Sequence, residues 1–236
     1  MKTKDAIRQE IWQLLVQKKV ARFPGAEGRI PNFIGAEACA TVLAETPIWK
    51  SAKVLKANPD SPQRAIRQRA LAEGKIIYMA VPRLRIEKPF IELDPEQMKC
   101  SPYAASSIKG AAKYGRPVSL EEVRKIDLII CGSVVVNRSG ARVGKGGGYS
   151  DLEFALLTEE KKIGSMTPIV TSVHPLQIID EEIPMKEHDI PLTAIVTPQE
   201  VIVTKSCYRR PKGIDWKILR QEKIDPIPVL KARKDR

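Results

Sequence analysis

The hydrophobic and polar positions near the start of the chain follow a helical spacing. Apolar residues recur on one helical face, at Ile7, Ile11, Leu14 and Leu15. This spacing predicts an amphipathic helix over residues 4–19. Residues 22–35 are rich in Gly and Pro, which is typical of a loop. The pattern over 36–45 predicts a second helix that ends near Pro47.

The next part of the chain changes from strand to helix and back to strand. A short strand is predicted over 52–57, and the turn 58–62 follows it with two prolines. A helix is predicted over 63–73, where Gly74 is placed to end it. The continuous apolar run 76–81 is typical of a buried strand. This β-α-β order predicts parallel strands that are joined by a crossover helix.

The second half repeats this alternation. A capping-box pattern at 119–122 predicts the start of a short helix, and the apolar run 126–136 is the strongest strand signal in the sequence. The remaining predictions are a helix over 151–161, a strand over 167–173, and two short strands within 194–203 that Pro198 separates. The predicted fold class is therefore α/β: a three-layer α/β/α arrangement with a mostly parallel, Rossmann-like sheet.

The length suits one domain, which we place at 1–225, followed by a basic tail at 226–236 that we expect to be mobile. No apolar stretch approaches the length of a membrane span, and the start of the chain does not resemble a signal peptide. We therefore expect a soluble, cytoplasmic protein without membrane partners. The four cysteines form no CxxC pair and only two histidines are present, so a zinc site is not expected.

The net charge of +12 indicates an affinity for polyanions. Nucleic acid, nucleotide phosphates and a polyglutamylated cofactor all fit this charge, and composition does not choose among them. Nucleic acid is the partner that we favour least, because aromatic residues make up only 5% of the chain and no base-stacking motif is present.

A glycine-rich turn at 142–151 lies between the strongest strand signal and a predicted helix. Its glycines, Gly144, Gly146, Gly147 and Gly148, allow positive φ angles and a close approach of the backbone to a ligand. Free backbone N–H groups and a helix N-terminus favour an anion, and Arg142 and Lys145 add positive charge. The turn matches neither common phosphate-binding fingerprint. From local pattern alone, a flexible loop without function remains the alternative.

Asp151, at the end of this turn, has two interpretations. Asp is a common helix N-cap, which would place its carboxylate on backbone N–H groups. It could instead hold Mg²⁺ beside phosphates, since Mg²⁺ prefers one or two carboxylates together with phosphate oxygens. The two roles compete for the same carboxylate.

Several separated segments resemble the 5-formyltetrahydrofolate cyclo-ligase family. The resemblance covers the segment IDLIICGSVVVNRSGARVGKGGGYSDLEFALL, the first helix with its Lys-x-x-x-Arg spacing, GKIIYMAVPRL and EHDIPLTAIVTPQEVI. The segments RFPGAEGRIPNFIGA, KANPDSPQ and GKGGGYSDLEF are similar to those of one subgroup, the methenyltetrahydrofolate synthetase domain-containing proteins.

The resemblance implies an ATP- and Mg²⁺-dependent enzyme of one-carbon metabolism that converts 5-formyltetrahydrofolate to 5,10-methenyltetrahydrofolate. ATP would phosphorylate the formyl oxygen, after which the folate N10 attacks the activated carbon. It further implies sites for ATP (Lys4, Arg8, Arg142, Gly144, Lys145, Gly146, Gly147, Gly148 and Tyr149), for the metal (Asp151 and Asp189) and for the folate (Asn58, Asp60, Arg83 and Tyr149). Lys145 is also the candidate catalytic residue, since phosphoryl transfer requires charge neutralisation. Without the resemblance, Lys4 and Arg8 read as an ordinary solvated helix face.

The sequence departs from the family pattern at two places. Ser150 stands where the family has a second Tyr, and the loop 58–62 is shorter than the corresponding substrate loop. Three hypotheses therefore stay open: a 5-formyltetrahydrofolate cyclo-ligase, a paralogue that uses ATP on another cofactor- or vitamin-related substrate, and a nucleic-acid-binding module with a vestigial site.

Overall fold

The computed structural model describes residues 2–234 and shows helices and strands that alternate along the chain. The α-helices are α1 (Lys4–Gln17), α2 (Ala36–Ala44), α3 (Pro47–Ser51), α4 (Arg64–Ala72), α5 (Pro102–Ala105), α6 (Ile108–Tyr114), α7 (Tyr149–Glu159), α8 (Gln221–Ile224) and α9 (Pro228–Lys234). The β-strands are β1 (Val54–Ala57), β2 (Ile76–Ala80), β3 (Phe90–Leu93), β4 (Arg116–Val118), β5 (Leu128–Cys131), β6 (Val135–Asn137), β7 (Arg142–Val143), β8 (Ile169–Ser172), β9 (Ile178–Ile179), β10 (Ala194–Val196) and β11 (Val201–Val203).

The main sheet has the strand order β11-β10-β8-β5-β1-β2-β3-β4. Its neighbouring strands from β10 through β2 pair in parallel, whereas β11 at one edge and β3 and β4 at the other pair antiparallel. The predicted β-α-β unit is present as β1, α4 and β2. Ala194–Val196 and Val201–Val203 form the two short strands on either side of Pro198 that the sequence predicts.

Two apolar clusters cover the two faces of this sheet, because side chains alternate along each strand. On β2, Ile77 and Met79 pack against one face with α2 and α4, whereas Tyr78 and Ala80 pack against the other face with α7. Helices therefore lie on both sides of a mostly parallel sheet, which confirms the predicted three-layer α/β class.

The predicted strand over 126–136 is wrong as a single element. It divides into β5, in the main sheet, and β6, in a second sheet with the order β7-β6-β9. The chain leaves the main sheet at Ser133, whose Oγ lies 2.9 Å from Thr171 Oγ1. Gln177 Nε2 donates to the carbonyls of Ser133 and Val134, so these carbonyls are satisfied without a neighbouring strand. The small sheet packs against α1 through Ile7, Ile11, Val135 and Val143.

The predicted short helix at 119–122 is also wrong, because the structure has a turn there. Half of the capping box does form, since the Ser119 N–H donates to the Glu122 carboxylate at 2.8 Å. No helix follows over residues 119–127, because the backbone enters the main sheet within a few residues. The Ile126 N–H donates to Lys162 O and the Asp127 N–H donates to Val54 O, both at 2.8 Å.

After the edge strand β11, the chain leaves the main sheet and returns to the face that α7 covers. Ile224, Ile227 and Leu230 are buried there, in the same apolar cluster as Leu156. Much of 226–236, which the sequence predicts to be a mobile tail, is thus helix α9 packed on the domain, and residues 235 and 236 lie outside the described residues. Within 2–234, no helix combines the length and apolar character needed to cross a membrane.

Candidate functional site

A cavity of about 570 Å³ opens at the carboxyl ends of the central parallel strands. Asn58 follows β1, Val81 follows β2 and Gly132 follows β5, and all three line this cavity. Its opposite wall is the glycine-rich turn with the first turn of α7. The carboxyl edge of a parallel sheet is where ligands bind in this fold class, so the cavity is the candidate site.

The glycine-rich turn connects β7 with α7. Gly146 has φ 104° and Gly148 has φ 65°, both in the region that favours glycine. Gly148 is the N-cap of α7, so the helix begins at Tyr149 and Asp151 lies within its first turn. The N-cap interpretation of Asp151 is therefore wrong, and its carboxylate serves other partners.

Arg142 holds that carboxylate from the opposite end of the turn. Its Nη2 donates to Asp151 Oδ1 at 2.7 Å and its Nη1 donates to the Gly132 carbonyl at 3.1 Å. The Asp151 Oδ1 also accepts from the Ile190 N–H at 3.2 Å. Burial is the largest single effect and lowers the pKa of Arg142, but the nearby groups, the Asp151 carboxylate first among them, together outweigh burial and raise the pKa. The guanidinium is therefore a permanent buried cation. Its Nε is buried and has no hydrogen-bond partner among the described residues.

Helix α1 lies against the same turn. Arg8 Nε donates to the Gly144 carbonyl at 2.6 Å, and Arg8 also pairs with Asp5. One turn earlier, Lys4 forms an ion pair with Asp189, whose Oδ2 accepts from the Lys186 N–H at 2.6 Å as well. The face that carries Lys4 and Arg8 is therefore not an ordinary solvated face.

Asp151 and Asp189 are the residues that could hold a metal ion. Among residues 2–234, no group of three or more His, Cys, Asp or Glu side chains is arranged to bind a metal without further ligands. Two carboxylates nevertheless fit Mg²⁺, which takes few protein ligands and completes its shell with water or with the oxygens of a bound phosphate. His188 Nε2 lies 3.9 Å from Asp189 Oδ1.

At the other end of the cavity, a buried polar chain connects β1 with α7. Lys56 is 2% exposed and pairs with the buried carboxylate of Glu153. Lys56 Nζ donates to Asn58 Oδ1 at 2.8 Å, and Asn58 Nδ2 donates to Ser150 Oγ at 2.7 Å. Asn58, Ser150 and Glu153 line the cavity. They present an amide, a hydroxyl and a carboxylate to any substrate that enters.

The loop after β1 is held from behind by Arg67, which is 1% exposed. Its guanidinium donates to the backbone carbonyls of Asn58, Pro59 and Asp60 at 2.5, 3.2 and 3.0 Å. Lys145 Nζ lies 3.4 Å from Asp60 Oδ1 and bridges this loop to the glycine-rich turn. The loop is therefore fixed in advance of ligand binding.

The structure brings the predicted site residues to this cavity and to its outer wall. Those that line the cavity are Asn58, Asp60, Arg83, Arg142, Gly144, Lys145, Gly147, Gly148, Tyr149 and Asp151. Three others lie behind the turn: Arg8 contacts the Gly144 carbonyl, and Lys4 pairs with Asp189. Gly146 also faces away from the cavity, since a Cβ added there would lie 3.7 Å from Arg8 Cζ. Their roles toward a ligand remain predictions.

Sequence analysis missed four residues of this region: Lys56, Arg67, Glu153 and Lys223. The lysine within the apolar strand VLKA was the one available signal, since a charge there requires a buried partner. Arg67 and Glu153 read as ordinary helix residues. Lys223 comes from α8, far along the chain, and donates to the Gly147 carbonyl at 2.8 Å.

The family model of the 5-formyltetrahydrofolate cyclo-ligase family matches residues 1–198. The chain belongs to this family. Cyclo-ligase family members similar to it include the methenyltetrahydrofolate synthase domain-containing proteins of Mus musculus, 35% identical over 239 residues, and Bos taurus, 34% identical over 235 residues. These alignments cover 99% and 98% of this chain but 64% and 61% of the relatives, so the chain spans about three fifths of their length.

A solved structure supports the same cyclo-ligase fold. The 5,10-methenyltetrahydrofolate synthetase of Aquifex aeolicus superposes with a TM-score of 0.55 at 18% identity, covering 87% of this chain and 95% of that one. At this identity the likeness concerns the fold alone. The match over 1–198 leaves the segment that carries α8 and α9 outside the cyclo-ligase family model.

Proposed function

We propose that this protein is an ATP- and Mg²⁺-dependent ligase that converts 5-formyltetrahydrofolate to 5,10-methenyltetrahydrofolate. The observation that carries the proposal is the position of the glycine-rich turn. The turn lies at the carboxyl edge of the sheet, has Arg142 and Lys145 on the cavity side and Arg8 behind it, and belongs to a chain of the cyclo-ligase family.

In this proposal the turn binds the triphosphate. The backbone N–H groups at the start of α7 and the charge of Lys145 attract the phosphate oxygens. Arg142 and Arg8 hold the two ends of the turn. Asp151 and Asp189 would hold Mg²⁺, which would supply charge neutralisation for phosphoryl transfer when bound.

The folate occupies the end of the cavity formed by Asn58, Asp60, Arg83 and Tyr149. The γ-phosphoryl group passes to the formyl oxygen, with ADP as the leaving group. The folate N10 then attacks the activated carbon, the ring closes, and phosphate leaves with the former formyl oxygen. Such a reaction needs positioning and charge neutralisation rather than a covalent nucleophile on the protein.

The experiment is a spectrophotometric assay for the methenyl product with purified protein, 5-formyltetrahydrofolate and ATP·Mg²⁺. We expect Lys145→Ala and Asp151→Ala to lower the rate by about 10²-fold, the typical effect of removing a group that stabilises transition-state charge. Lys99→Ala and Asp180→Ala remove the same charges at exposed positions outside the cavity and serve as matched controls. Unchanged ATP affinity in both site variants would contradict the proposed nucleotide site.

One observation favours a second candidate, a paralogue that uses ATP on a different cofactor- or vitamin-related substrate. The Lys56–Asn58–Ser150 chain places an amide and a hydroxyl where the resemblance leads us to expect a second Tyr and a longer loop. A site built to hydrogen-bond one substrate edge rejects molecules that lack that edge. ATP·Mg²⁺ binding without any methenyl product at high enzyme concentration would favour this second candidate.

A further inference from the structure

The segment beyond the family-model match reaches the glycine-rich turn through Lys223. Its ammonium lies 3.2 Å from the centroid of the Tyr149 ring and donates to the Gly147 carbonyl at 2.8 Å. Lys223 is fixed in this position because the next residue, Ile224, is buried in the cluster that covers α7. The contact is therefore part of the folded domain rather than a loose surface pair.

Arg8 contacts the other end of the turn in an equivalent way, through the Gly144 carbonyl. In a trans peptide unit the carbonyl and the following N–H point in opposite directions. Because the Gly144 and Gly147 carbonyls point toward Arg8 and Lys223, the N–H groups of Lys145 and Gly148 point away from these cations. Within the described residues, none of the backbone N–H groups of 145–148 donates to a protein acceptor. Successive backbone N–H groups without protein acceptors are typical of an anion-binding turn.

The Tyr149 ring depends on the same lysine. A cation over the face of an aromatic ring is attracted by the ring's quadrupole, so Lys223 favours one orientation of Tyr149. The ring also lies close to the turn, since a Cβ at Gly147 would come within 2.9 Å of Tyr149 Cδ2. Lys223 thus fixes both a peptide unit of the turn and the aromatic side chain that follows it.

We propose that Lys223 is a positioning residue for the triphosphate site, and that the C-terminal segment 199–234 completes this site. Lys223 acts through the Gly147–Gly148 peptide and Tyr149, because its ammonium is already directed at the carbonyl and the ring face. The inference rests on the proposed function, in which a nucleoside triphosphate binds at this turn. It adds a part of the chain that the family model does not include.

The experiment measures the affinity of the full chain for ATP·Mg²⁺ by calorimetry in three variants. We expect Lys223→Met to weaken binding about 10-fold, the effect of losing one hydrogen bond that involves a charged group. Lys223→Arg should restore the affinity to within about 3-fold, because a guanidinium both donates to a carbonyl and stacks on an aromatic ring. Lys231→Met removes the same charge from an exposed position of the same segment, and we expect it to bind like the wild type.

Salt separates positioning from simple electrostatic attraction. At 1 M salt the Debye length is about 3 Å, so a long-range effect of the Lys223 charge would disappear. The difference between wild type and Lys223→Met should persist there, and the NMR shift of the Gly148 amide should differ between the two proteins before ATP is added. If Lys223→Met does not fold, Lys223→Leu replaces it in the same comparison, because Leu also lacks a donor.

The outcomes are distinct. A wild type that does not bind ATP·Mg²⁺ contradicts the proposed function itself. A wild type that binds, with equal affinity in Lys223→Met or Lys223→Leu, overturns the positioning role and leaves the proposed function standing. A loss that vanishes at 1 M salt, or that Lys231→Met reproduces, also overturns it.

Discussion

Arg142 reaches Asp151 across the glycine-rich turn, with 2.7 Å between Nη2 and Oδ1. The pair connects the first residue of β7 with the first turn of α7, so it fixes the two ends of a turn whose glycines would otherwise leave it mobile. Arg142 is nearly inaccessible to solvent, and the carboxylate beside it is mostly buried. The pair therefore matters for the stability of the fold as well as for the proposed ligand site.

We expect Arg142→Met to lower the free energy of unfolding by about 3 kcal/mol, because it leaves a partly buried carboxylate without its cation. Urea denaturation at neutral pH measures this loss. Arg138→Met, at an exposed position of the β6–β7 turn, is the control and should change stability by no more than about 0.5 kcal/mol. Equal losses in the two variants would show that the Arg142–Asp151 pair does not stabilise the fold.

The buried pair of Lys56 and Glu153 allows a test with a double variant. Lys56→Met leaves the Glu153 carboxylate uncompensated, and we expect a loss of about 3–5 kcal/mol in the free energy of unfolding. Adding Glu153→Leu removes the orphaned charge, so the double variant should recover most of that loss. A double variant that is as unstable as the sum of the two single variants would contradict the direct pairing of the two charges.

Gly148 adopts φ 65°, and nothing lies within 4 Å of a Cβ added there. Any loss on substitution therefore reports backbone strain rather than a clash. We expect Gly148→Ala to cost about 1 kcal/mol and Gly148→Asn clearly less, since Asn tolerates this conformation better than Ala. Thermal denaturation of both variants measures the difference.

Gly164 supplies the control for this prediction. It does not have a positive φ, and its added Cβ would have 3.9 Å of space. Gly164→Ala should therefore be neutral or slightly stabilising. The strain argument fails if Gly148→Ala and Gly164→Ala have the same stability.

His174 predicts a pH dependence of stability. Burial lowers its pKa below the ordinary value of 6.5, so protonation of His174 favours the unfolded state. The folded form also uses the unprotonated Nδ1, which accepts from the Leu176 N–H at 3.2 Å. The associated stability is fully present above about pH 6.5 and is lost as the pH falls below that value.

His174 is the N-cap of a short 3-10 helix, Pro175–Gln177. His174→Asn removes the titration and keeps an acceptor at this N-cap, where Asn is favoured. We expect the wild type to lose more stability than the variant between about pH 8 and pH 5, as measured by chemical denaturation. Parallel pH profiles for the two proteins would exclude this role of His174.

Leu230 tests whether α9 is part of the folded domain. Its side chain is fully buried with Ile224 and Ile227. We expect Leu230→Ala to lower the free energy of unfolding by about 3 kcal/mol, the usual cost of such a cavity. Lys231→Ala, on the exposed side of the same helix, should have little effect. A neutral Leu230→Ala would instead support the mobile tail that the sequence predicts.

The sequence predicted the fold class because continuous apolar runs mark buried parallel strands, and these runs depend little on distant contacts. The sequence also indicated where the cavity lies, because Gly and Pro residues mark the strand ends and ligands bind at the carboxyl ends of parallel strands. The break between β5 and β6 was not predictable, because 126–136 is apolar throughout. Its cause is the contact of Ser133 with Thr171, which lies 38 residues away.

The parts of the candidate cavity that come from local sequence chemistry could be predicted, and those that come from tertiary contacts could not. The segment Gly144–Tyr149 can be recognised from its glycine-rich composition. The position of Asp151 inside α7 depends on Gly148 taking the N-cap, which no pattern distinguishes from an Asp cap. Arg67 and Lys223 are exposed helix residues by pattern and acquire their partners only when distant segments pack together.

The contacts of Gly144 with Arg8 and of Gly147 with Lys223 have a consequence for the order in which this protein matures. During synthesis the earlier part of a chain emerges and begins to fold first. Arg8 is synthesised before the glycine-rich turn, whereas Lys223 is synthesised 76 residues after Gly147. In a newly made chain, the Gly147 carbonyl therefore lacks its contact with Lys223 until α8 has been synthesised.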